Sequence, residues 1–464
     1  MAERATTLRA GAAGATITPD RPLLLEGYGN REKPATGTRD PLEARAVVFD
    51  DGATRAALVA LDLCGIDPAS VARIRALVEA ETGIAPANVI VTYSHTHSAP
   101  YASTYLNVRP DEAYLRWLEE TAARAVVAAA GAARPVRIGA GEGAVDFNVN
   151  RRHRLRRGDE VAMGFRANAL GAVDRRVRVL RLDPAAYGPA PPGTLGDRHL
   201  PQADPVAVLF SYVCHPTVLG GANYRYSGDY PGAARRFVEA AYGGAERTPA
   251  VFLPGCFGNV RPHLLDGEGA FRQANDHELT VLGRWLGSEV VQVAERTESA
   301  PADSIAAGRR AVVLPYARVA DEAEIRAALD TPRRYWAEAM RARLARDGAL
   351  PAAETSEVAV LRLGRHWLIA TPGETCLELG LSIERGMYEV GLADQARGDM
   401  VLTVGYANDY VAYLPSASML TEGGYESTSW YEYLKCGPFA ATIESALVNS
   451  AIELAAEVAG AIPR

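Results

Sequence analysis

Two histidines stand two residues apart in Ser94-His-Thr-His-Ser98, directly after the apolar, β-branched run Val89-Ile-Val-Thr-Tyr93. A run of that kind predicts a buried parallel strand. If extended geometry persists to the histidines, the side-chain period of two turns both imidazoles to one face. A pair of imidazoles at the end of a buried strand can hold a divalent metal. Alternatively, one ring holds it and the other is left for proton transfer. The competing reading is a pair of solvated loop histidines, so the rest of the chain must supply partners for a site.

The chain has 464 residues, long enough to bury a large core. Apolar residues make up 48% and charged residues 23%, the balance of an ordinary globular protein. A formal net charge of −7 argues against nucleic-acid binding. The amino terminus shows no apolar signal-peptide core, and no run of about 18 apolar residues suggests a membrane span. The five cysteines (Cys64, Cys214, Cys256, Cys376, Cys436) are scattered and lack a Cys-x-x-Cys, which predicts reduced thiols in a cytoplasmic protein. The whole span 1–464 is expected to be one domain.

The elements that must position the histidines follow in order. A strand is predicted from Arg55, ending at Asp62, and a helix over 69–81 stopped by Gly83. A long helix over 111–130 has an acidic first turn, and strands are expected at 136–140 and 177–182. The basic run Asn150-Arg-Arg-His-Arg-Leu-Arg-Arg157 reads as a solvated loop, and 184–205 as a surface excursion. Strand 206–213 ends at Cys214-His-Pro-Thr217, a helix begins near Asp229, and strand 250–253 ends at Pro254-Gly-Cys-Phe-Gly-Asn259. Helices are predicted at 274–296 and 320–347, and a hairpin at 358–363 and 366–371 that runs into Pro372-Gly-Glu374. After a helix to about 390 come a strand at 400–405, the segment Tyr406-Ala-Asn-Asp-Tyr-Val-Ala-Tyr413 and a closing helix at 441–459.

Ligands of α/β sheets bind beyond the carboxyl ends of strands. Asp62, His95, His97, His215, Asn259, Glu374, Tyr410 and Tyr413 each stand just past such an end. His95, His215 and Glu374 form a two-histidine, one-carboxylate set of the kind that holds a catalytic zinc with a position left open. Other hydrolase signatures fit poorly. Ala99-Pro100 stands where a metallo-β-lactamase pattern needs Asp-His, and His-Glu-x-x-His and Gly-x-Ser-x-Gly are absent.

From Ala10-Gly-Ala-Ala-Gly-Ala-Thr-Ile-Thr-Pro19 to about Tyr431 the chain resembles the neutral (non-lysosomal) ceramidases. The resemblance is carried by that first segment with Gly27-Tyr-Gly29, by Ser94-His-Thr-His-Ser98, and by His215-Pro-Thr217 with Ser227-Gly-Asp229. It continues through Pro372-Gly-Glu374 and through Asn408-Asp-Tyr-Val-Ala-Tyr413 with Tyr425-Glu-Ser-Thr428. It implies a zinc site at His95, His215, Glu374 and Tyr413, with His97 acting on the substrate. It also implies an active-site arginine at Arg151 and a tyrosine, Tyr425, that contacts the scissile carbonyl. The implied chemistry is coherent, since zinc lowers the pKa of bound water to about 7 and polarises a carbonyl.

This chain departs from the family at several places. Ser98-Ala-Pro-Tyr-Ala102 is bulkier than the family's Ser-Gly-Pro-Gly-Gly, and Gly258-Asn-Val-Arg-Pro-His263 replaces Gly-Asp-Val-Ser-Pro-Asn, which makes Arg261 and Asn259 candidate substrate contacts. No carboxy-terminal immunoglobulin-like domain is expected. The expected fold is a layered α/β sandwich of mixed sheets flanked by helices. The expected activity is zinc-dependent hydrolysis of a linear amide in a soluble, anionic N-acyl small molecule rather than a membrane ceramide. Ester or lactone hydrolysis is the alternative chemistry, and a silent metal- or ligand-binding protein the alternative class. No stable membrane association is expected, and a homo-oligomer is compatible with the sequence.

Overall fold

The computed structural model describes residues 8–157, 160–186 and 203–460. Its largest sheet is mixed. From one edge to the other it runs Ala250–Pro254, Ala207–Tyr212, Arg176–Pro184, Arg134–Ala144, Arg9–Thr16, Glu43–Asp50, Arg55–Leu61 and Val89–Tyr93, with Ala300–Pro301 added beside Arg134–Ala144. A second sheet orders Ile305–Pro315, Ala353–Leu363, His366–Ala370 and Val401–Val404.

Alternation along the strands explains how these sheets stack. In Arg55–Leu61, Ala56 and Leu58 turn to one face while Ala57, Val59 and Leu61 turn to the other. In the second sheet Leu361, Leu368 and Leu402 join Ala56 and Leu58 in one core between the sheets. Val360, Ile369 and Val401 turn outward. Outward faces are covered by helices. Leu118, Ala122 and Val126 of Glu112–Gly131 cover the first sheet, and Leu447, Ala451 and Leu454 of Ile443–Gly460 cover the second. Asp229–Ala241 and Asp276–Arg296 bury Val238, Leu286 and Val290 against Val208 and Phe210. The result is the expected layered sandwich of mixed sheets.

Segment 405–408 stitches the layers together beside the histidine strand. Gly405 donates to the Pro254 carbonyl (3.0 Å), Tyr93 donates to Tyr406 (3.0 Å) and Asn408 donates to Val91 (2.7 Å). It therefore bonds to strands at both edges of the large sheet, and Tyr406 and Asn408 take left-handed φ values of 57° and 62° to do so. Left-handed backbone of this kind is unfavourable for residues with a Cβ.

Several expectations are corrected. Asn150 to Arg157 is no solvated loop but most of strand Asn148–Arg157, and Asn150, Arg151 and Arg152 are buried. The predicted helix over 320–347 is two helices, Glu322–Ala328 and Arg334–Asp347. Pro332 stands at the break, where it would remove a helical N–H and clash with the preceding turn. Strands Arg9–Thr16, Glu43–Asp50 and Ile305–Pro315 were not anticipated. Of the excursion expected at 184–205, residues 187–202 lie outside the described residues. Among the described residues no helix is long and apolar enough to cross a membrane.

Candidate active site

Strand Val89–Tyr93 lies parallel to Arg55–Leu61, with Tyr93 opposite Leu61. Ser94 still donates to the Leu61 carbonyl (2.8 Å), and there the ladder ends. His95 then takes φ 64°, so extended geometry does not persist through the histidine pair. A left-handed turn, not the strand's two-residue period, brings the imidazoles together. Their rings stand at 88° with centroids 4.7 Å apart, and their Nε2 atoms are 3.1 Å apart.

His215 follows strand Ala207–Tyr212, and Glu374 follows strand His366–Ala370 across a turn. That turn needs Gly373, because φ is 57° and a Cβ would lie 2.4 Å from the Ala412 carbonyl oxygen. The three side chains converge: Glu374 Oε2 is 3.2 Å from Nε2 of His95 and 3.2 Å from Nε2 of His215. Each imidazole uses its other nitrogen on a backbone carbonyl, His95 Nδ1 on Cys64 (2.6 Å) and His215 Nδ1 on Phe257 (2.9 Å). Those bonds put the proton on Nδ1 and the lone pair on Nε2. Burial lowers the His215 pKa to about 4, with Arg151 adding to the effect.

Nε2 of His215 and Oε2 of Glu374 therefore face each other and Nε2 of His95, which also meets Nε2 of His97. His215 Nε2 and Glu374 Oε2 are buried without a hydrogen-bond partner. Leaving a buried acceptor unpaired costs about 1–3 kcal/mol, and a cation at the convergence point would remove that cost. The ligand atoms of His95, His215 and Glu374 lie within 4.8 Å of one another, and their chemistry suits zinc. A second group, Cys64, His95 and His97, fits less well, since burial pushes the Cys64 thiol well above its ordinary pKa and so keeps it protonated.

The carboxylate is fixed from behind. Its Oε1 accepts from Tyr433 and from Tyr410 (3.3 Å). Tyr413 is the register partner of Glu374 in a two-residue parallel ladder, and the Arg151 guanidinium carbon lies 5.2 Å from its ring centre. Burial raises the Tyr413 pKa well above the ordinary phenol value.

His97 presents Nε2 to His95, and its Nδ1 is buried without a partner. Burial lowers its pKa well below the ordinary value, with His95 adding to the effect. Its ring packs edge-on against Tyr28, at 4.9 Å. Gly27 makes room for it: φ is 102°, and a Cβ there would lie 2.5 Å from the ring. Arg31 donates to the His97 carbonyl and also to the carbonyls of Glu26, Gly220 and Gly221. It thus ties the histidine loop to the segment after His215.

Arg151 is buried, with Nε on Glu426 (2.8 Å), while Arg152 takes the other oxygen of Glu426 (2.7 Å). The Arg151 guanidinium lies over the rings of Phe165, Tyr413 and Tyr425, at 4.8, 5.2 and 5.6 Å. Tyr425 packs on Tyr413 (5.5 Å) and donates to Glu432 (2.9 Å), which also accepts from Tyr105 (2.7 Å). Burial raises the Tyr425 pKa, so the phenol remains a donor.

Two strand-end residues go elsewhere. Asn259 accepts from Leu377 N (2.9 Å) and donates to Glu378 (3.0 Å). Both ends of its amide are committed to the start of helix Leu377–Glu389, so it supports the segment after Glu374 rather than offering a free amide to substrate. Asp62 pairs with Arg235. Tyr433, Glu432 and Arg31 escaped sequence reasoning because their partners Glu374, Tyr105 and Gly220 are remote in the chain. Gly27-Tyr-Gly29 was visible as a motif but its packing role was not.

This layered architecture is that of the neutral ceramidases. The crystal structure of neutral ceramidase from Pseudomonas aeruginosa matches with a TM-score of 0.71 and 18% identity, over 98% of this chain and 75% of that one. A ceramidase complexed with C2 matches with a TM-score of 0.73 and 18% identity, over 99% and 76%. No family model and no curated protein sequence matches the chain.

Proposed function

We propose that this protein is a zinc-dependent hydrolase of linear amides that acts on a small N-acyl substrate. The observation that carries the reading is the convergence of Nε2 of His95, Nε2 of His215 and Oε2 of Glu374, the last two buried without a hydrogen-bond partner. These residues would hold the ion, with Tyr413 beside them as a further candidate oxygen ligand. Bound zinc supplies Lewis acidity and an activated water. The remaining work falls to the chain's own groups. His97, kept neutral by burial, is placed to take a proton and pass it to a departing amine. The Tyr425 phenol, which donates to Glu432 here, would turn from that carboxylate, and Arg151 adds a buried positive charge beside it. Both are suited to charge that develops on a carbonyl oxygen.

The fold of the ceramidase neighbours supports an amide as the scissile group. The test is elemental analysis of the purified protein together with a panel of N-acyl amino acids, N-acyl sugars, short-chain ceramides and matched esters, assayed with and without chelator. About one zinc per chain, with chelator-sensitive amide hydrolysis, is expected. Full activity in metal-free protein would overturn the reading, and faster turnover of every ester than of its amide would move it to ester hydrolysis.

A further inference from the structure

Most buried guanidinium groups of this chain meet a carboxylate. Arg151 and Arg152 share Glu426, Arg176 and Arg178 share Asp174 and Glu384, and Arg235 lies between Glu43 and Asp62. Arg31 spends its donors on four backbone carbonyls. Arg261 does neither. It is half-buried, makes no ion pair with any described residue, and its Nε is buried without a hydrogen-bond partner. Its guanidinium carbon lies 4.2 Å from the ring centre of Phe271 and 5.4 Å from that of Phe165. Aromatic faces attract a cation but do not neutralise it.

The position of this charge gives it meaning. Strand Val260–Pro262 pairs antiparallel with Asn148–Arg157, and Arg151 donates its backbone N–H to the Asn259 carbonyl (2.9 Å). Both guanidinium groups lie against the same ring, Phe165, with Arg151 at 4.8 Å. Arg151 reaches from there to Tyr413 and Tyr425, and its Nη2 is buried and unpartnered on a residue that is 3% exposed. Two cations thus flank one aromatic ring beside the candidate active site, each with an N–H that no described residue accepts. Like charges at such separation repel, and a desolvated guanidinium is stabilised by a planar anion that accepts from its fork.

Resting on the amide-hydrolase reading, we propose that Arg261 and Nη2 of Arg151 form a carboxylate subsite, and that the preferred substrate is an N-acyl compound with a carboxylate close to the scissile amide, as in an N-acyl amino acid. Arg261 is the specificity residue of the pair. Arg151 is also engaged with Glu426 and Tyr413, so its removal disturbs more than the subsite.

The experiment compares an N-acyl amino acid with its carboxamide, in zinc-loaded wild type, Arg261→Ala and Arg261→Lys. Two quantities are read: kcat/KM for hydrolysis, and Kd by calorimetry at low temperature. Wild type is expected to favour the free carboxylate by roughly tenfold or more, a difference of about 1.4 kcal/mol. The preference should fall towards unity in Arg261→Ala and to an intermediate value in Arg261→Lys, which keeps the charge but loses the fork. Near-ultraviolet circular dichroism checks that the variants are folded, and Arg261→Lys serves if Arg261→Ala is not. Equal values for the two compounds in wild type overturn the subsite. So does a preference that survives in Arg261→Ala, because the carboxylate would then be read elsewhere, for instance by the metal. Absence of hydrolysis with an Arg261-dependent difference in Kd would instead remove the hydrolase reading and leave the subsite standing.

Discussion

Two buried polar regions lie just past strand ends, and they are built differently. One surrounds Arg235, whose guanidinium meets Asp62 (2.8 Å) and Glu43 (2.6 Å), while neighbouring Arg45 meets Glu43 (3.0 Å) and Glu239 (2.8 Å). Asp62 also accepts from the Glu43 backbone N–H (3.0 Å). Opposite charges there are closed on one another by the chain itself. The other region surrounds His95, His215 and Glu374, where acceptors face acceptors and the guanidinium groups of Arg151 and Arg261 keep unused donors. Residue type alone does not separate the two, since both hold buried carboxylates. What separates them is charge pairing: in one region each guanidinium lies against carboxylates of the chain, although Nε of Arg45 and of Arg235 lacks an acceptor, and in the other, two imidazoles and a carboxylate converge with no cation among them. Buried polar groups are rarely left unpaired without a functional reason.

That contrast can be broken experimentally, most severely at the ligands. His95→Ala, His215→Ala or Glu374→Ala should reduce zinc from about one per chain to near zero and bring hydrolysis to background, as read by elemental analysis and turnover. Zinc retention in all three would place the ion elsewhere. A smaller loss is expected next to the ligands. His97→Ala and Tyr425→Phe should keep the metal while kcat falls roughly 100- to 1,000-fold, the usual loss for a general acid or oxyanion donor. Loss of zinc with full rate per bound ion would reverse that assignment.

The closed region should respond in stability rather than in chemistry. Arg235→Ala leaves Asp62 and Glu43 buried and uncompensated, and urea unfolding should show a loss of about 3–5 kcal/mol with turnover per folded molecule preserved. The smallest effect comes from a buried group outside both regions. His366 accepts from Met400 N (3.2 Å), and burial lowers its pKa from the ordinary 6.5 to about 4. The unfolded chain binds this proton more readily, so the stability it contributes is fully present above about pH 6.5 and is lost as pH falls towards 4. The loss is at most about 3 kcal/mol. His366→Gln keeps an acceptor for Met400 and should flatten unfolding free energy across that window. An unchanged slope would mean that His366 is not the group responsible.

How much of this was legible in the sequence depended on how local the cause was. Helix Pro68–Thr82 and its Gly83 stop, the Asp111 cap of Glu112–Gly131 and the β-branched strand before His95 all follow from neighbouring residues. Strand Arg9–Thr16 is mostly alanine and glycine, and its pairing with Glu43–Asp50 gives it an extended conformation that its composition does not suggest. The basic run after Asn150 read as solvent-facing because its partner Glu426 lies more than 270 residues away. The pair His95 and His97 stood out by spacing, although the geometry that joins them is a turn the strand rule did not foresee. Arg31, whose partners are all backbone carbonyls, left no pattern to find.

The left-handed backbone at His95, Tyr406 and Asn408 carries an evolutionary consequence. Each such residue costs about 1–3 kcal/mol relative to a relaxed conformation, and glycine would remove most of it. Selection for stability alone would therefore favour glycine at positions 95 and 406, where β-carbons are now held under strain. Between His95→Gly and His95→Ala, glycine should give the higher Tm, since both lose the imidazole but only glycine relaxes the turn. A histidine at position 95 is a stability gain forgone, the mark of a position where chemistry rather than folding chose the residue.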